Sequence, residues 1–183
     1  QQHSCERLGE AMKEGHFPSD AFKDALDAND EYVKSFKYSE LTGVASRGIA
    51  IVTCMDSRIN PLSVIGMRSG DAKILRNAGA RVTDDVLRTL VLATYLLGVN
   101  RILIMPHTNC RMAMSEESEI HDLIEKQYGV DTRSLEFKTV SDQNKALITD
   151  VNRVRSYPLI RKGIEVGGAI YDVATGKITP VDC

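Results

Sequence analysis

The chain lacks the features of several large protein classes. It has 4 cysteines in 183 residues, at positions 5, 54, 110 and 183, which are too few and too scattered for a disulfide scaffold. We therefore expect a reducing compartment and a cytoplasmic location. The 23 basic side chains are balanced by 25 acidic ones, for a formal net charge of −2. This balance gives no reason to expect a nucleic-acid partner.

Hydrophobic runs of membrane-spanning length are also missing. The apolar stretch VLRTLVLATYLLGV contains an arginine and threonines and is too short to cross a bilayer, so we expect no membrane partner. The first residues, QQHSCERLGE, have no apolar segment like that of a signal peptide. Because the first residue is not Met, we expect that the native N-terminus is missing or processed.

No internal repeat, low-complexity segment or linker rich in Pro, Gly and Ser divides the chain. With 43% hydrophobic residues, 183 residues suffice for one globular domain with a sizeable core. We predict a single domain over residues 1–183. Its N-terminal helical arm, at about 19–38, is expected to pack against the domain or to form an oligomer contact.

Predicted strands and helices alternate along the chain. Short apolar segments predict buried strands at 48–54, 72–77, 101–107 and near 134–140, and a hairpin at the C-terminal end with Ala174-Thr175-Gly176 at its tip. Helical spacing predicts helices at 19–36, 84–97, 115–128 and 141–154, the second with Thr83 as its N-cap and Gly98 at its end. This alternation indicates an α/β fold with a mostly parallel central sheet flanked by helices.

Three potential metal ligands follow two of these strands. Cys54 ends one strand, while His107 and Cys110 follow the end of another, and carboxyl ends of parallel strands share one edge of a sheet. Two thiols and an imidazole are ligands that zinc prefers. The residues alone leave two alternatives open. The thiols could be unconnected core residues, or they could form a redox pair, although the chain has no Cys-x-x-Cys motif.

Asp56 and Arg58 lie close to the first of these cysteines in CMDSRINP. Asp56 is near enough to approach the same ion, and Arg58 could hold its carboxylate with two parallel hydrogen bonds. The alternative is a surface ion pair of little energetic consequence. Three such groups within five residues at a strand end favour the functional interpretation.

Together, the segments CMDSR, RNAGARVTDDVLRTL and PHTNC resemble the β-class carbonic anhydrases, from about residue 49 to residue 128. The sequences of these segments are similar to those of short, actinobacterial-type members, a branch that also resembles carbonyl sulfide hydrolases. The resemblance implies the single-domain fold of that family. It also implies a zinc lyase that interconverts carbon dioxide and bicarbonate by attack of zinc-bound hydroxide.

The resemblance assigns roles to particular residues. Cys54, His107 and Cys110 would bind one zinc ion per chain. Asp56 would accept a hydrogen bond from a water on the zinc or would itself be the fourth ligand, with Arg58 as its partner. Family members are usually dimers or multiples of dimers, so we expect a homodimer or a dimer of dimers.

The resemblance also implies a substrate pocket lined by Asn77, Ala78 and Gly79, with Arg111 next to the last ligand. The family commonly has glycine where this chain has Arg111, which could restrict access to the metal or point to solvent. Many plant-type members also have a glutamine upstream of the first motif, in a region where this chain has Ala45.

Two rival functions follow from the same residues. Hydrolysis of carbonyl sulfide or a related heterocumulene uses the same attack on carbon, and Arg111, Met112 and Met114 are candidates to decide between the substrates. A non-catalytic zinc-binding protein is the second rival, but it is disfavoured because both members of the Asp56–Arg58 pair are present. A nucleotide-binding module is not supported, because no glycine-rich phosphate motif is found.

Overall fold

The structure, a computed structural model, describes residues 15–183. The chain forms two compact units, Gln1–Glu40 and Leu41–Cys183, so the single domain over residues 1–183 stays a prediction. In chain order, the regular elements are a 3-10 turn (Ser19–Phe22), α1 (Lys23–Lys34), β1 (Ile49–Cys54), α2 (Pro61–Val64), β2 (Ala72–Asn77), α3 (Asp84–Leu96), β3 (Arg101–Met105), a second 3-10 turn (Arg111–Ala113), α4 (Glu117–Tyr128), α5 (Gln143–Ser156), β4 (Glu165–Tyr171) and β5 (Ile178–Val181).

The second unit is built on one five-stranded sheet with the strand order β2-β1-β3-β4-β5. β1 pairs in parallel with both β2 and β3, and β3 pairs in parallel with β4. Only β5 runs antiparallel, because it forms the predicted C-terminal hairpin with β4. The mostly parallel sheet expected from the alternation of strands and helices is therefore confirmed.

The core has two clusters, and the central strand β1 contributes to both. All six β1 residues are buried, as expected for a strand covered on both sheet faces. Ala50, Val52 and Ile104 belong to a cluster with apolar residues of α3 and α5. Ile51 and Met105 belong to the other cluster, which also contains Cys54 and Cys110. The predicted metal ligands are therefore part of the packed interior.

Two helices begin with the side-chain caps that favour them. The Thr83 hydroxyl accepts a hydrogen bond from the backbone N–H of Val86 at 3.4 Å, as predicted for the start of α3. Asp142 caps α5 in the same way, through the N–H of Lys145 at 3.0 Å. Gly98 follows α3 with φ +77°, a left-handed conformation that glycine adopts at little cost.

The predicted strand near 134–140 is wrong. This segment is a loop, in which the carboxylate of Glu117 accepts hydrogen bonds from the N–H groups of Phe137, at 2.7 Å, and Thr139, at 3.2 Å. These are backbone donors that a neighbouring strand would otherwise satisfy. Lys138, between them, has φ +61°, which interrupts an extended backbone. Leu135 and Phe137 have the alternate spacing of a strand, but Leu135 is exposed while Phe137 packs against the core.

The predicted N-terminal helix is confirmed as α1, preceded by the short 3-10 turn. None of the residues in these two elements is buried. The apolar side chains at helical spacing in this segment are all exposed, namely Leu26, Tyr32, Val33 and Phe36. Across residues 15–183, the helices are too short or too polar to span a membrane.

Candidate metal centre

Three side chains converge at the carboxyl edge of the sheet. Cys54 is the last residue of β1, and His107 and Cys110 lie in the loop that follows β3. One ligand atom from each of these residues lies within 4.8 Å of the other two, and all three residues are buried. The structure therefore brings together the cysteines and the histidine that the sequence placed on two separate strands.

The sheet register explains this convergence. β1 and β3 are parallel neighbours, with Thr53 opposite Met105, so the two strands end at the same level of the sheet. The pairing with β4 continues past β3, because the N–H of Thr108 donates to the carbonyl of Tyr171 at 2.9 Å. Asn109 then has φ +52°, a left-handed conformation that asparagine tolerates better than most residues. This turn returns the chain toward the sheet at the second cysteine.

The ring of His107 is oriented as a metal ligand. Its Nδ1 lies 2.6 Å from the carbonyl oxygen of Thr108, and because a carbonyl can only accept, Nδ1 carries the hydrogen. In the neutral ring, Nε2 then has a free lone pair. This buried atom has no hydrogen-bond partner within the part of the chain that the structure describes. An unpaired buried nitrogen is costly, and a metal ion bound between it and the sulfurs would satisfy it.

The two thiols share the charge of this small site. Hydrogen bonding with Cys110 lowers the pKa of Cys54 against the opposing effect of burial, and the N–H of Gly79, 3.4 Å from the Cys54 sulfur, lowers it further. The same contact between the thiols raises the pKa of Cys110, because a second negative charge would lie beside the first. In the absence of a metal, the two sulfurs share one proton. A divalent cation in its place would stabilise both residues as thiolates. The residues present therefore fit zinc.

Asp56 and Arg58 form the predicted pair. The Arg58 Nε donates to Asp56 Oδ1 at 2.9 Å, and its Nη2 donates to Oδ2 at 2.6 Å. These hydrogen bonds hold the pKa of Asp56 well below its usual range. Oδ2 of Asp56 lies 3.7 Å from Nε2 of His107, so the carboxylate faces the three ligands without belonging to their cluster. Arg58 also donates to the carbonyl of Asn109, at 3.1 Å, and so links both ligand-bearing loops.

Two further side chains, missed in the sequence, hold the backbone of this site. Arg76 on β2 donates from Nε to the carbonyl of Cys54, at 2.8 Å, and from Nη2 to that of Asp56, at 2.7 Å. Gln143, at the start of α5, donates to the carbonyl of His107 at 2.6 Å. Arg76 lies opposite Thr53 in the parallel pairing of β1 and β2. This position beside the strand that ends at Cys54 is the one feature that could have indicated its role. Gln143 gives no such signal, because it is far from His107 in the sequence.

The Asn77-Ala78-Gly79 turn, which is predicted to be a pocket wall, lies next to the first ligand. Asn77 closes the turn with two hydrogen bonds to the backbone of Arg81, at 2.7 and 2.9 Å. Ala78 packs against the cluster that contains Cys54. Gly79 approaches the metal site most directly, because its N–H donates to the Cys54 sulfur.

Arg111 follows Cys110 and begins the second 3-10 turn. It is exposed, and its guanidinium donates to the hydroxyl of Ser115 at 2.7 Å. Met112 is buried in the cluster with both cysteines, whereas Met114 is exposed. Ala45 is buried in the other core cluster, away from the cysteines. Of the residues proposed to control substrate access, Met112 is thus the one packed against the site.

Comparison with known proteins identifies the family. A family model described as carbonic anhydrase matches residues 49–178. β-Carbonic anhydrase 1 of Mycobacterium tuberculosis is 35% identical over 159 residues, which cover 86% of this chain and 96% of that protein. This chain belongs to the β-carbonic anhydrase family of enzymes. The resemblance carried by CMDSR and PHTNC is thereby confirmed.

Other members of the β-carbonic anhydrase family extend the comparison. The crystal structure of a carbonic anhydrase from Streptococcus mutans matches with a TM-score of 0.83 and 35% identity, over 92% of this chain and 100% of that one. Carbon disulfide hydrolase of Acidithiobacillus thiooxidans is 28% identical over 181 residues, covering 87% of this chain and 90% of that protein. The fold and the enzyme family are therefore shown, while the relatives differ in substrate.

Proposed function

We propose that this protein is a zinc-dependent carbonic anhydrase, a lyase that reversibly hydrates carbon dioxide to bicarbonate, with one zinc ion per chain. The observation that carries the proposal is the buried, unpaired Nε2 of His107 beside the sulfurs of Cys54 and Cys110. The Asp56 carboxylate faces this nitrogen, as an acceptor near the reacting water must. Membership of the β-carbonic anhydrase family supports the same reaction.

Cys54, His107 and Cys110 would hold the zinc and leave one position open for water or substrate. When bound, zinc supplies a Lewis acid that lowers the pKa of a water molecule. Two thiolates and one neutral imidazole compensate the ion's charge fully, so this acidifying effect is weaker than that of a three-histidine site. The protein must therefore contribute to activating the water.

Asp56 makes this contribution as a hydrogen-bond acceptor. Arg58 keeps its carboxylate ionised and fixed in orientation, so that it would accept a hydrogen bond from the water and direct a lone pair toward the carbon of carbon dioxide. Both carboxylate oxygens already accept hydrogen bonds from Arg58, which favours this role over that of a fourth zinc ligand. Gly79, its neighbours Asn77 and Ala78, and Arg111 would line the substrate pocket.

Hydrolysis of carbonyl sulfide or another heterocumulene is the second candidate. The carbon disulfide hydrolases among the relatives are the specific observation that favours it. The same ligands and the same acceptor would serve either substrate, because water attacks a linear molecule at carbon in both cases. Non-catalytic zinc binding is a weaker alternative, since the Asp56–Arg58 pair is intact.

Rates measured side by side decide between these functions. Zinc-loaded protein, protein stripped with a chelator and protein reloaded with zinc are assayed by stopped flow with carbon dioxide, and by sulfide release with carbonyl sulfide and carbon disulfide. The proposal expects zinc-dependent hydration of carbon dioxide with a kcat/KM well above that for either sulfur compound. A preference for a sulfur compound would establish the hydrolase, and a lack of all three activities in zinc-loaded protein would establish the non-catalytic alternative.

We also propose that the protein is a homodimer or a dimer of dimers in the cytoplasm, with no nucleic-acid or membrane partner. The exposed apolar residues Leu26, Tyr32 and Val33 of α1 support the oligomer. The free thiols of Cys54, Cys110 and Cys183 support a reducing compartment. Light scattering coupled to size exclusion tests the assembly, and a monomer at micromolar concentration would contradict it.

A further inference from the structure

The segment that carries His107 lies beyond the hydrogen-bonded ladder of β3, which ends at Met105. On one side, Tyr171 continues the pairing, because its N–H donates to the carbonyl of Pro106 at 2.9 Å. The carbonyl of His107 itself accepts its hydrogen bond from the side-chain amide of Gln143, at 2.6 Å. The backbone around this ligand is thus held by Tyr171 of β4, while the carbonyl of His107 itself is held by Gln143 of α5.

Gln143 is presented by a well-anchored helix end. Asp142 caps α5 with its side chain, and the N–H of Ala146 donates to the Asp142 carbonyl at 2.9 Å. Further along, the buried side chains of Leu147 and Val151 pack in the core cluster that includes the sheet. These contacts dock the helix without the amide of Gln143. The hydrogen bond to His107 is therefore available for positioning the ligand rather than the helix.

The position of His107 Nε2 depends on the backbone that Gln143 holds. The ring is tied to its own chain through Nδ1 and the carbonyl of Thr108, so ring and backbone move together. A shift of the His107 carbonyl is therefore passed on to Nε2 and changes its distance to both sulfurs. Groups that orient metal ligands typically change metal affinity by 10–100-fold when they are removed.

We propose that Gln143 is a positioning residue of the metal centre, which fixes the carbonyl of His107 and so sets the place of Nε2 relative to the sulfurs of Cys54 and Cys110. The proposal rests on the proposed zinc centre. It concerns how that centre is held and not which substrate it acts on.

Four variants of the full chain test this role, and the fourth, Gln143→Lys, is the one expected to retain a donor. Gln143→Ala removes the donor, and Gln143→Glu keeps nearly the same volume but places an acceptor against the carbonyl. The matched control is Asn152→Ala, because Asn152 is an exposed amide on the same helix that donates to the carbonyl of Ile148 at 3.0 Å. Zinc affinity is measured by competition with a chelator, and ligand geometry by the absorption spectrum of the cobalt(II)-substituted protein.

Gln143→Ala and Gln143→Glu are expected to bind zinc roughly 10-fold or more weakly and to shift the cobalt ligand-field and thiolate charge-transfer bands. Asn152→Ala is expected to change neither quantity. Gln143→Lys retains a donor of sufficient reach and is expected to recover part of the affinity. If Gln143→Ala fails to fold, the near-isosteric Gln143→Glu carries the test alone. Wild-type zinc affinity and cobalt spectra in folded Gln143 variants would overturn the proposal.

Wild-type controls separate this result from the proposed function. A zinc-binding wild type that hydrates no carbon dioxide, combined with weaker zinc binding in the Gln143 variants, would overturn the proposed activity and support the positioning role. A wild type that binds neither zinc nor cobalt would overturn both. If every variant hydrates carbon dioxide at saturating zinc, and Gln143→Ala and Gln143→Glu bind zinc more weakly than wild type, both the proposed activity and the positioning role are supported.

Discussion

At the scale of single residues, Asp56 has a geometry that suits one task. Its two oxygens accept hydrogen bonds from Arg58, at 2.9 and 2.6 Å, and one of them faces His107 across 3.7 Å. Arg58 thereby keeps the carboxylate charged and prevents its rotation. An isosteric amide at this position would lose the charge and one of the two acceptors.

We expect Asp56→Asn to lower kcat for carbon dioxide hydration by roughly 10²–10³-fold, the usual effect of removing one positioned hydrogen-bond partner of the reacting group, with zinc content unchanged. Stopped-flow rates and metal analysis on the same samples measure both quantities. Asp85→Asn is the control, because Asp85 forms a comparable pair with Arg88 that is largely exposed on α3. Equal rates in Asp56→Asn and wild type would remove Asp56 from the mechanism.

Gly79 is required both for its backbone conformation and for its closeness to Met112. Its φ is +85°, and an added Cβ would lie 3.2 Å from Cβ and Cγ of that side chain. Gly163 has nearly the same φ, +83°, but its added Cβ would meet nothing within 4 Å. Alanine variants at these two positions therefore distinguish the effect of backbone strain, which both would have, from that of local crowding, which only Gly79 would have.

We predict that Gly79→Ala weakens zinc binding at least several-fold, because the N–H that donates to Cys54 is displaced, while Gly163→Ala leaves zinc affinity unchanged. Both variants are expected to lose about 1 kcal/mol of stability from the left-handed conformation. Chelator competition and denaturant unfolding measure the two effects. Equal zinc affinity in both alanine variants would show that the Gly79 turn does not shape the metal centre.

The residues that sequence reasoning found and missed differ in the kind of contact they make. Cys54, His107 and Cys110 could be predicted because metal-ligating side chains at the ends of parallel strands must share one edge. Arg76 and Gln143 act through backbone carbonyls, and any polar side chain of suitable length can do this. Residue type therefore carries no signal for such contacts, and only the fold reveals them.

At the scale of elements, α4 and the 134–140 loop are joined through Glu117. Hydrogen bonds from the N–H groups of Phe137 and Thr139 lower the pKa of Glu117 below its ordinary value of 4.5. His121 adds to this, with Nε2 3.2 Å from the carboxylate. The folded state therefore binds fewer protons at this group than the unfolded state does. The resulting stability is present above about pH 4.5 and is lost as the pH falls through the folded pKa.

We expect Glu117→Gln to lower the unfolding free energy at pH 7 by roughly 1 kcal/mol, because charge-assisted hydrogen bonds are replaced by weaker ones at a partly exposed site. The difference from wild type should shrink between pH 5 and pH 3. Urea unfolding across this range measures it, with Glu31→Gln as control, since Glu31 forms an exposed pair on α1. A difference that is constant with pH would contradict the assignment of the charge.

Helices and strands could be predicted where the hydrophobic periodicity agreed with the residues that cap or end an element. α3 has helical spacing, the Thr83 cap and Gly98 after its end, and the structure confirms it. The 134–140 segment has apolar positions that alternate, but it has no neighbour with which to pair. Its backbone N–H groups are satisfied by a side chain from α4, which is a tertiary contact that local pattern does not contain.

At the scale of the whole molecule, zinc is expected to stabilise the fold, because the ligands are brought together only in the folded state. At free zinc 100-fold above Kd, the gain is about 2.7 kcal/mol. For a chain of this length, that corresponds to a Tm increase of roughly 5–10 °C. Thermal unfolding of chelator-stripped and zinc-loaded protein measures the shift. The same Tm in both preparations would argue against a zinc ion at the carboxyl edge of the sheet.

In the proposed mechanism, Cys54 at the end of β1 anchors the zinc that the reaction requires. The most direct measurement is zinc per chain together with the stopped-flow rate of carbon dioxide hydration, for wild type, Cys54→Ser and Cys183→Ser. Cys183 is a free, partly buried cysteine outside the ligand cluster, and so serves as the matched control. We predict zinc and activity in wild type and Cys183→Ser, and loss of both in Cys54→Ser. Wild-type zinc content and hydration rate in Cys54→Ser would contradict the account.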